Sequence, residues 1–323
     1  MSDIAALIKL KFKNFLKNFA TANHFIYYEG MDRRFGAQNM VGRLRRVVVK
    51  RPPEAFISVE KIEREWQRLG FTAPPDLKKA EEEFSQLEEI LRQEGAEILY
   101  LPADERTTLD SIYTHDPVLI TEAGAIILQM GKKERAGEPE AFEDALKSWG
   151  LPTFGRLSGK ATAEGGDLLW LDEKTLVTGR GFRTNQEGID QLQEILQPLG
   201  VKVLAYDLPY WAGPGEVLHL MSFISLLDVD LAVVYKRLLP VAFYKLLLDR
   251  GIELVDIPEE EFPTQGCNVL AISQRRVVIL KGNPVTAQLL RQAGCFVYEL
   301  TGEEIAFKGS GGPTCLTRPL FRL

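Results

Sequence analysis

The sequence predicts an α/β protein built from five similar units, and three observations carry that expectation. One order of elements recurs along the chain: two strands joined by a tight turn, a helix, and a further strand. The positions opening the later units are Asp116, Glu164, His219, Cys267 or Asn268, and Cys315, spaced 48, 55, 48 and 48 residues apart when Cys267 is taken. The first unit opens with a single strand where the others have a pair, and the chain finishes on a lone strand that can complete it and close a ring of five. Periods of roughly 20–50 residues belong to solenoids and propellers. In a ring, equivalent positions converge on the axis.

The elements follow in order. "LRRVVVKRP" (44–52) is a short buried strand stopped by Pro52 and Pro53. A charged helix comes next, with Asp76 as N-cap, Leu77, Ala80, Phe84, Leu87 and Leu91 as its apolar stripe, and Gly95 as its stop. The strand "AEILYLP" ends the unit. "PVLIT", a turn at Gly124 and "AIILQM" begin the second unit, whose helix runs through Phe142, Ala145 and Leu146 to Gly150. "DLLWL", "TLVTG", a helix from Thr184 to about Leu199 and "VKVLAYDLP" form the third. "LHLMSFISL" with "LAVVY", a helix near 240–250 and "IELVDIP" form the fourth. "NVLAIS", "RVVILKG", a helix after Pro284 and "CFVYEL" form the fifth, and "TCLTRPLF" is the closing strand.

Composition narrows the function. With 323 residues, 45% hydrophobic and 26% charged, the chain has the make-up of an ordinary globular protein. A formal net charge of −6, with no basic stripe, argues against nucleic acid as a partner. The three cysteines, Cys267, Cys295 and Cys315, are odd in number and lack CxxC spacing, which suggests neither a disulfide framework nor a zinc site and fits a reducing cytoplasm. No apolar run approaches the roughly 20 residues of a membrane span. Residues 1–30 form a separate extension: Ile4, Leu7, Ile8, Phe12, Phe15, Leu16 and Phe19 share one helical face, opposite Lys9, Lys13 and Lys17. Such a basic amphipathic helix can lie on an anionic membrane surface, but docking on its own protein or on a second copy, as in a homodimer, is favoured. Residues 31–323 are expected to form one catalytic domain.

The convergence changes how "GGPTCLT" (311–317) reads. Alone, Cys315 could be a small apolar residue at the start of a buried strand. On a shared axis it meets carboxylates and an imidazole. A thiol is a strong nucleophile only as thiolate and needs a cation or base nearby, while a histidine near neutral pH needs an acceptor to fix its ring. Cys315, His219 and Glu164 are the right types for nucleophile, acid/base and orienter. Asp167, beside the glycine pair Gly165 and Gly166, braces the loop or binds substrate. The order Glu, His, Cys and the missing local signature argue against a papain-like protease.

Five stretches, "DSIYTHDP" (110–117), "AEGGDLLW" (163–170), "GRGFRTNQEGIDQL" (179–192), "VLHLMSF" (217–223) and "GGPTCLT", resemble the motifs of the guanidino-group-modifying enzymes. The similarity is closest to dimethylarginine dimethylaminohydrolase and runs in order from about Leu44 to the C-terminus. It implies a five-bladed α/β propeller of ββαβ units with pseudo-fivefold symmetry. It also implies roles: Cys315 attacks the guanidinium carbon, His219 protonates the departing amine and then activates water, and Glu164 holds His219. Asp110 and Asp116 would bind guanidinium nitrogens, and Arg183 with Arg135 would grip the substrate α-carboxylate; the matching of carboxylates to a delocalised cation and of an arginine fork to a carboxylate agrees. The product would be citrulline, with no metal or organic cofactor required.

Two positions depart from the pattern. Met221 stands where arginine deiminases and amidinotransferases usually carry an aspartate, leaving room for N-methyl groups. His115 stands where the dimethylarginine enzymes often have glutamate, and is counted as a hydrogen-bonding or proton-transfer group at the substrate. The expectation is therefore a hydrolase of arginine-like guanidines, with Nω-methylated arginine as substrate. The alternatives are arginine deimination or amidino transfer on the same scaffold, and a propeller that binds without catalysing.

Overall fold

The computed structural model describes residues 35–323, so the N-terminal amphipathic helix and the boundary near residue 30 lie outside the described residues. The chain begins its first unit with β1 (Leu44–Val49), runs through α1 (Pro52–Phe56), α2 (Val59–Leu69) and α3 (Leu77–Gln93), and ends it with β2 (Glu97–Tyr100). The second unit is β3 (Val118–Thr121), β4 (Gly124–Ile127), α4 (Glu138–Ser148) and β5 (Thr153–Arg156). The third is β6 (Leu168–Asp172), β7 (Thr175–Arg180), α5 (Gln186–Leu196) and β8 (Lys202–Asp207). The fourth is β9 (Ile224–Asp228), β10 (Leu231–Val234), α6 (Val241–Asp249) and β11 (Glu253–Asp256). The fifth is β12 (Leu270–Ser273), β13 (Arg276–Leu280), α7 (Pro284–Gln292) and β14 (Phe296–Leu300), and β15 (Arg318–Arg322) follows.

These strands form five three-stranded sheets. In each, the middle strand pairs antiparallel with one neighbour and parallel with the other, the parallel partner being reached through the unit's helix. The first sheet obeys the same rule only because the chain's end supplies a strand. β15 pairs antiparallel with β1, Val48 opposite Arg318 and Leu44 opposite Arg322, while β2 pairs parallel with β1. Strands covered on both faces read as continuous apolar runs, and β3, β4 and β10 are buried at every residue.

Local chemistry explains what was legible. Asp76 caps α3 by accepting from Lys79 N at 3.0 Å, and Ala80, Phe84, Leu87 and Leu91 are its buried stripe. Asn185 caps α5 by accepting from Gly188 N at 2.8 Å, which places the helix start two residues beyond Thr184. Helices α1 and α2 were not foreseen. Pro52 does stop β1, yet it also supplies the first turn of α1. The inward face of α2 includes Lys61 and Glu65, which look solvent-bound in sequence. Lys61 Nζ donates to Ala55 O and Thr107 O at 3.1 and 3.0 Å, and Glu65 Oε2 accepts from Leu109 N at 3.2 Å. Two expected strands are also shorter at their starts. Within "LHLMSFISL" residues Leu220–Ser222 make a 3₁₀ turn before β9, and Cys315 stands in turn residues before β15. Both changes place the reactive side chains on loops. Among the described residues no helix is long and apolar enough to cross a membrane.

A buried carboxylate ties the first unit to the last loop. Glu83 on α3 accepts from the backbone N–H groups of Glu303, Glu304 and Ile305 at 3.0, 2.8 and 3.2 Å. Glu83→Ala should therefore lower the unfolding free energy in urea by about 2–4 kcal/mol, because buried donors lose their acceptor. Glu83→Gln, which keeps one carbonyl oxygen, should lose less.

Candidate active site

The same place in each unit feeds the site. Asp116, Glu164, His219, Asn268 and Cys315 stand two to five residues before β3, β6, β9, β12 and β15 respectively. Loops leading into a rigid strand hold side chains in fixed positions. Of the two residues left open in the fifth unit, Asn268 faces the site. Its Oδ1 accepts from Thr314 N at 3.0 Å and its Nδ2 lies 3.1 Å from Cys315 Sγ, whereas Cys267 is fully buried in the core.

Hydrogen bonds join each of these loops to the next around a complete circuit. Asp116 Oδ1 accepts from Gly166 N at 2.8 Å, and Asp167 Oδ1 accepts from Leu220 N at 2.9 Å. Ser225 Oγ donates to Cys267 O at 2.7 Å, Asn268 holds Thr314, and His115 N donates to Cys315 O at 3.1 Å, returning to the second unit.

At the centre, His219 Nε2 is 2.7 Å from Glu164 Oε2. The carboxylate can only accept, so Nε2 carries the proton and Nδ1 is left for exchange. Gly166 makes this arrangement fit: a Cβ there would sit 2.4 Å from His219 Nδ1. Lys132 N donates to Glu164 Oε1 at 2.9 Å, and Arg183 Nη1 lies 3.4 Å from Oε2. Burial alone would raise the Glu164 carboxyl, but the bond and charge of His219, with Arg183, outweigh it and lower it to about 2. Burial alone would lower His219, yet Asp167, Glu164 and Asp116 surround it and raise it to about 9. Asp167, buried between Thr184 Oγ1 at 2.7 Å and Leu220 N, is raised by burial to about 6. It braces the turn that presents His219.

Cys315 is the partly exposed cysteine of the three. Burial of its sulfur, then the charge of Asp116, raise the thiol to about 11 against the bond from Asn268. Near neutral pH the cleft thus holds Cys315 as a thiol and His219 as an imidazolium. His115 is buried, with Nδ1 2.9 Å from Thr317 O. Burial, then the Arg318 charge, lower it to about 3, so it is neutral, its Nδ1 proton goes to the carbonyl, and Nε2 has no protein partner.

Arg135 does not lie as expected. Its guanidinium is buried and committed, with Nη1 2.5 Å from Asp116 Oδ2, Nε and Nη2 on the Glu138 carboxylate at 2.9 and 2.7 Å, and Nη2 also on Tyr113 O at 2.9 Å. A cation with its fork already filled by two carboxylates cannot also grip a ligand's carboxylate. Instead it fixes Asp116, whose carboxyl burial alone would raise but which Arg135 and the imidazoles hold well below the usual range. The partner Glu138 is pushed up by burial to about 7. Asp110, also buried, pairs with Lys132 Nζ at 2.7 Å.

Cys315 and His219 sit at the junction of two lobes of one cleft. The larger, about 260 Å³, is lined by His115, Trp211, Met221, Phe262 and Phe307 among others. The smaller, about 110 Å³, carries Asp110, Asp116, Lys132, Arg135 and Arg183. Glu216 lines both lobes, and sequence reasoning missed it because it lies on the glycine- and proline-containing loop before His219, with no period to mark it. Among the described residues, Asp116, Glu164 and His219 bring ligand-type atoms within 4.8 Å of one another. Each of the four carboxylate oxygens already receives an N–H donor, the pattern of a hydrogen-bonded cluster around a protonated imidazole.

Gly166→Ala should push the imidazole off Glu164 and move its titration midpoint from about 9 toward the ordinary histidine value. With three histidines in the chain, proton NMR resolves this directly. The raised value also sets a sign: the pair's contribution to stability is fully present below the ordinary value of about 6.5 and is lost as pH rises through about 9.

Comparison with known proteins gives the following. The sequence profile of a family described as N,N dimethylarginine dimethylhydrolase, eukaryotic, matches residues 64–322. An N(G),N(G)-dimethylarginine dimethylaminohydrolase of Pseudomonas aeruginosa is 29% identical over 244 residues, covering 75% of this chain and 89% of the relative. An arginine deiminase of Listeria welshimeri is 27% identical over 254 residues, covering 65% of this chain and 61% of the relative. Among solved structures, a dimethylarginine dimethylaminohydrolase adduct with S-methyl-L-thiocitrulline matches with a TM-score of 0.69 at 26% identity, covering 85% of this chain and 98% of the other. Since the profile spans well over half of its length, the chain belongs to the N,N-dimethylarginine dimethylhydrolase family, hydrolases acting on carbon–nitrogen bonds.

Proposed function

We propose that this protein hydrolyses Nω-methylated arginines to citrulline and a methylamine through a covalent adduct on Cys315, working as a single catalytic domain over residues 31–323. The five sheets and the closed circuit of loop-to-loop bonds support a five-bladed propeller with the site on its axis. The observation that carries the chemistry is the 2.7 Å contact between His219 Nε2 and Glu164 Oε2 in the cleft that Cys315 lines. Three unpaired cysteines fit a reducing cytoplasm.

The ionic states dictate the sequence of events. With the thiol at about 11 and the imidazole at about 9, the resting enzyme lacks thiolate. A guanidinium arriving at Sγ brings a positive charge that favours ionisation of the thiol, whose proton leaves to solvent. The sulfur lone pair forms the C–S bond at the guanidinium carbon. The C–N bond to the methylated nitrogen then breaks as His219 passes its proton to the departing amine. Neutral His219 next takes a proton from water as the water oxygen attacks the thiouronium carbon, and cleavage of the C–S bond returns the electron pair to sulfur. Asp116, fixed by Arg135, and the junction carboxylate Glu216 complement the cationic group. Uncharged Met221, buried beside the larger lobe, leaves apolar room for methyl groups.

Incubation with asymmetric dimethylarginine, arginine and agmatine should release dimethylamine and citrulline from the first at the highest kcat/KM. Ammonia from arginine at an equal or greater rate would instead mark a deiminase. Cys315→Ser should bind but not turn over, and His219→Ala should abolish turnover, with mass spectrometry after acid quench showing whether formation or breakdown of the Cys315 adduct is blocked. Because the reactive pair needs a thiolate beside an imidazolium, kcat/KM should rise up to about pH 9 and fall beyond about pH 11.

A further inference from the structure

The loop before His219 holds a tryptophan in a conformation that tryptophan does not favour. Gly213 N donates to Tyr210 O at 3.0 Å, closing a tight turn over residues 210–213, and Trp211 stands at its second position with a φ of +49°. A left-handed φ at that position belongs to glycine, asparagine or aspartate, and a bulky side chain there is strained. Such strain persists only where surrounding contacts hold it, and it gathers where a side chain serves a ligand. Here the contacts are aromatic. Trp211 packs edge-on against Phe262 with ring centroids 5.3 Å apart, Phe262 stacks on Tyr235 at 4.4 Å, and Tyr210 meets Phe182 edge-on at 5.9 Å. Trp211 is nevertheless no core residue, since it is 49% exposed and lines the larger lobe of the cleft. The turn is strained to hold an indole at the cleft.

What that indole faces follows from how the lobes divide the acidic groups. Asp110 and Asp116 line the smaller lobe, and among the described residues lining the larger the one carboxylate is Glu216, at the junction. Around Trp211 the larger lobe has Phe262, Phe307 and Met221 instead. An unsubstituted guanidinium nitrogen carries N–H groups that need acceptors, whereas a dimethylated one has none and adds apolar surface. A methylated cationic group is also drawn to an aromatic face, as quaternary ammonium ions are. At about 260 Å³ the lobe has room for it.

Resting on the guanidine-hydrolase reading above, we propose that Trp211 is the specificity-determining residue for the departing nitrogen: its indole is the wall on which the N-methyl groups pack, and it separates methylated from unmethylated guanidines. That packing forms on binding and persists as the amine departs, so its loss falls on KM more than on kcat.

The test compares asymmetric dimethylarginine with arginine in full-length protein. Calorimetry on Cys315→Ser, with and without Trp211→Ala, should show the preference for the dimethylated compound falling about tenfold when the indole is removed, the worth of two buried methyl groups. Turnover of that compound by Trp211→Ala should fall mainly through KM, and Trp211→Phe should keep most of the preference. Trp211→Gly, whose backbone is at ease with a φ of +49°, should lose the same preference yet melt above Trp211→Ala. An unchanged preference in Trp211→Ala, or a Trp211→Gly protein melting below it, overturns the proposal. Amine release from the dimethylated compound with a preference independent of Trp211 sinks the wall while the hydrolase stands. A Trp211-dependent binding preference, with no amine released by the native protein from any guanidine, sinks the hydrolase while the wall stands.

Discussion

The site depends on the pairing of the last strand with the first. β15 is the antiparallel neighbour that β1 otherwise lacks, and the turn carrying Cys315 leads directly into it. The register that sets Val48 opposite Arg318 therefore also sets where the sulfur lies relative to residues almost a hundred positions and more away in sequence. A one-residue slip would turn every β15 side chain to the opposite face. Closure of the first sheet and assembly of the site are one event.

Bringing ionisable groups together out of water is costly, and the arrangement offsets that cost by strict pairing. Asp116 is shared between Arg135 and the Gly166 amide, Glu164 between His219, the Lys132 amide and Arg183, and Asp167 between Thr184 and Leu220. No carboxylate of this set is left without a donor. The consequence is division of labour: Arg135 anchors Asp116, while on the smaller lobe Lys132 pairs with Asp110 and Arg183 lies 3.4 Å from Glu164. Preorganised dipoles and charges of this kind act without reorganising during reaction.

The two lobes that meet at Cys315 and His219 differ in character. On the proposed reading, the pair at the junction would act on the guanidinium carbon whichever nitrogen departs. The larger lobe has Met221, Trp211, Phe262 and Phe307 on its walls, and the smaller is lined by charged residues such as Asp110, Asp116, Lys132, Arg135 and Arg183. His115 adds a neutral acceptor where a carboxylate would have added charge, which keeps the larger lobe closer to apolar.

Much was legible from local pattern. Apolar runs marked the buried strands, Asp76 marked the start of α3, and the near-constant spacing of Asp116, Glu164, His219 and Cys315 marked them as equivalent. Those signals are carried by short-range physics: hydrophobic period, capping and repeat length. Helices α1 and α2 were hidden because proline and charged residues have two uses, and only contacts from Thr107 and Leu109 settle which applies. The commitment of Arg135 to Asp116 and Glu138, the capture of Asp110 by Lys132, the choice of Asn268 over Cys267 and the place of Glu216 were decided by the tertiary structure alone. An ionisable side chain's partner is whichever opposite charge lies within a few ångströms after folding, and sequence separation says nothing about that distance.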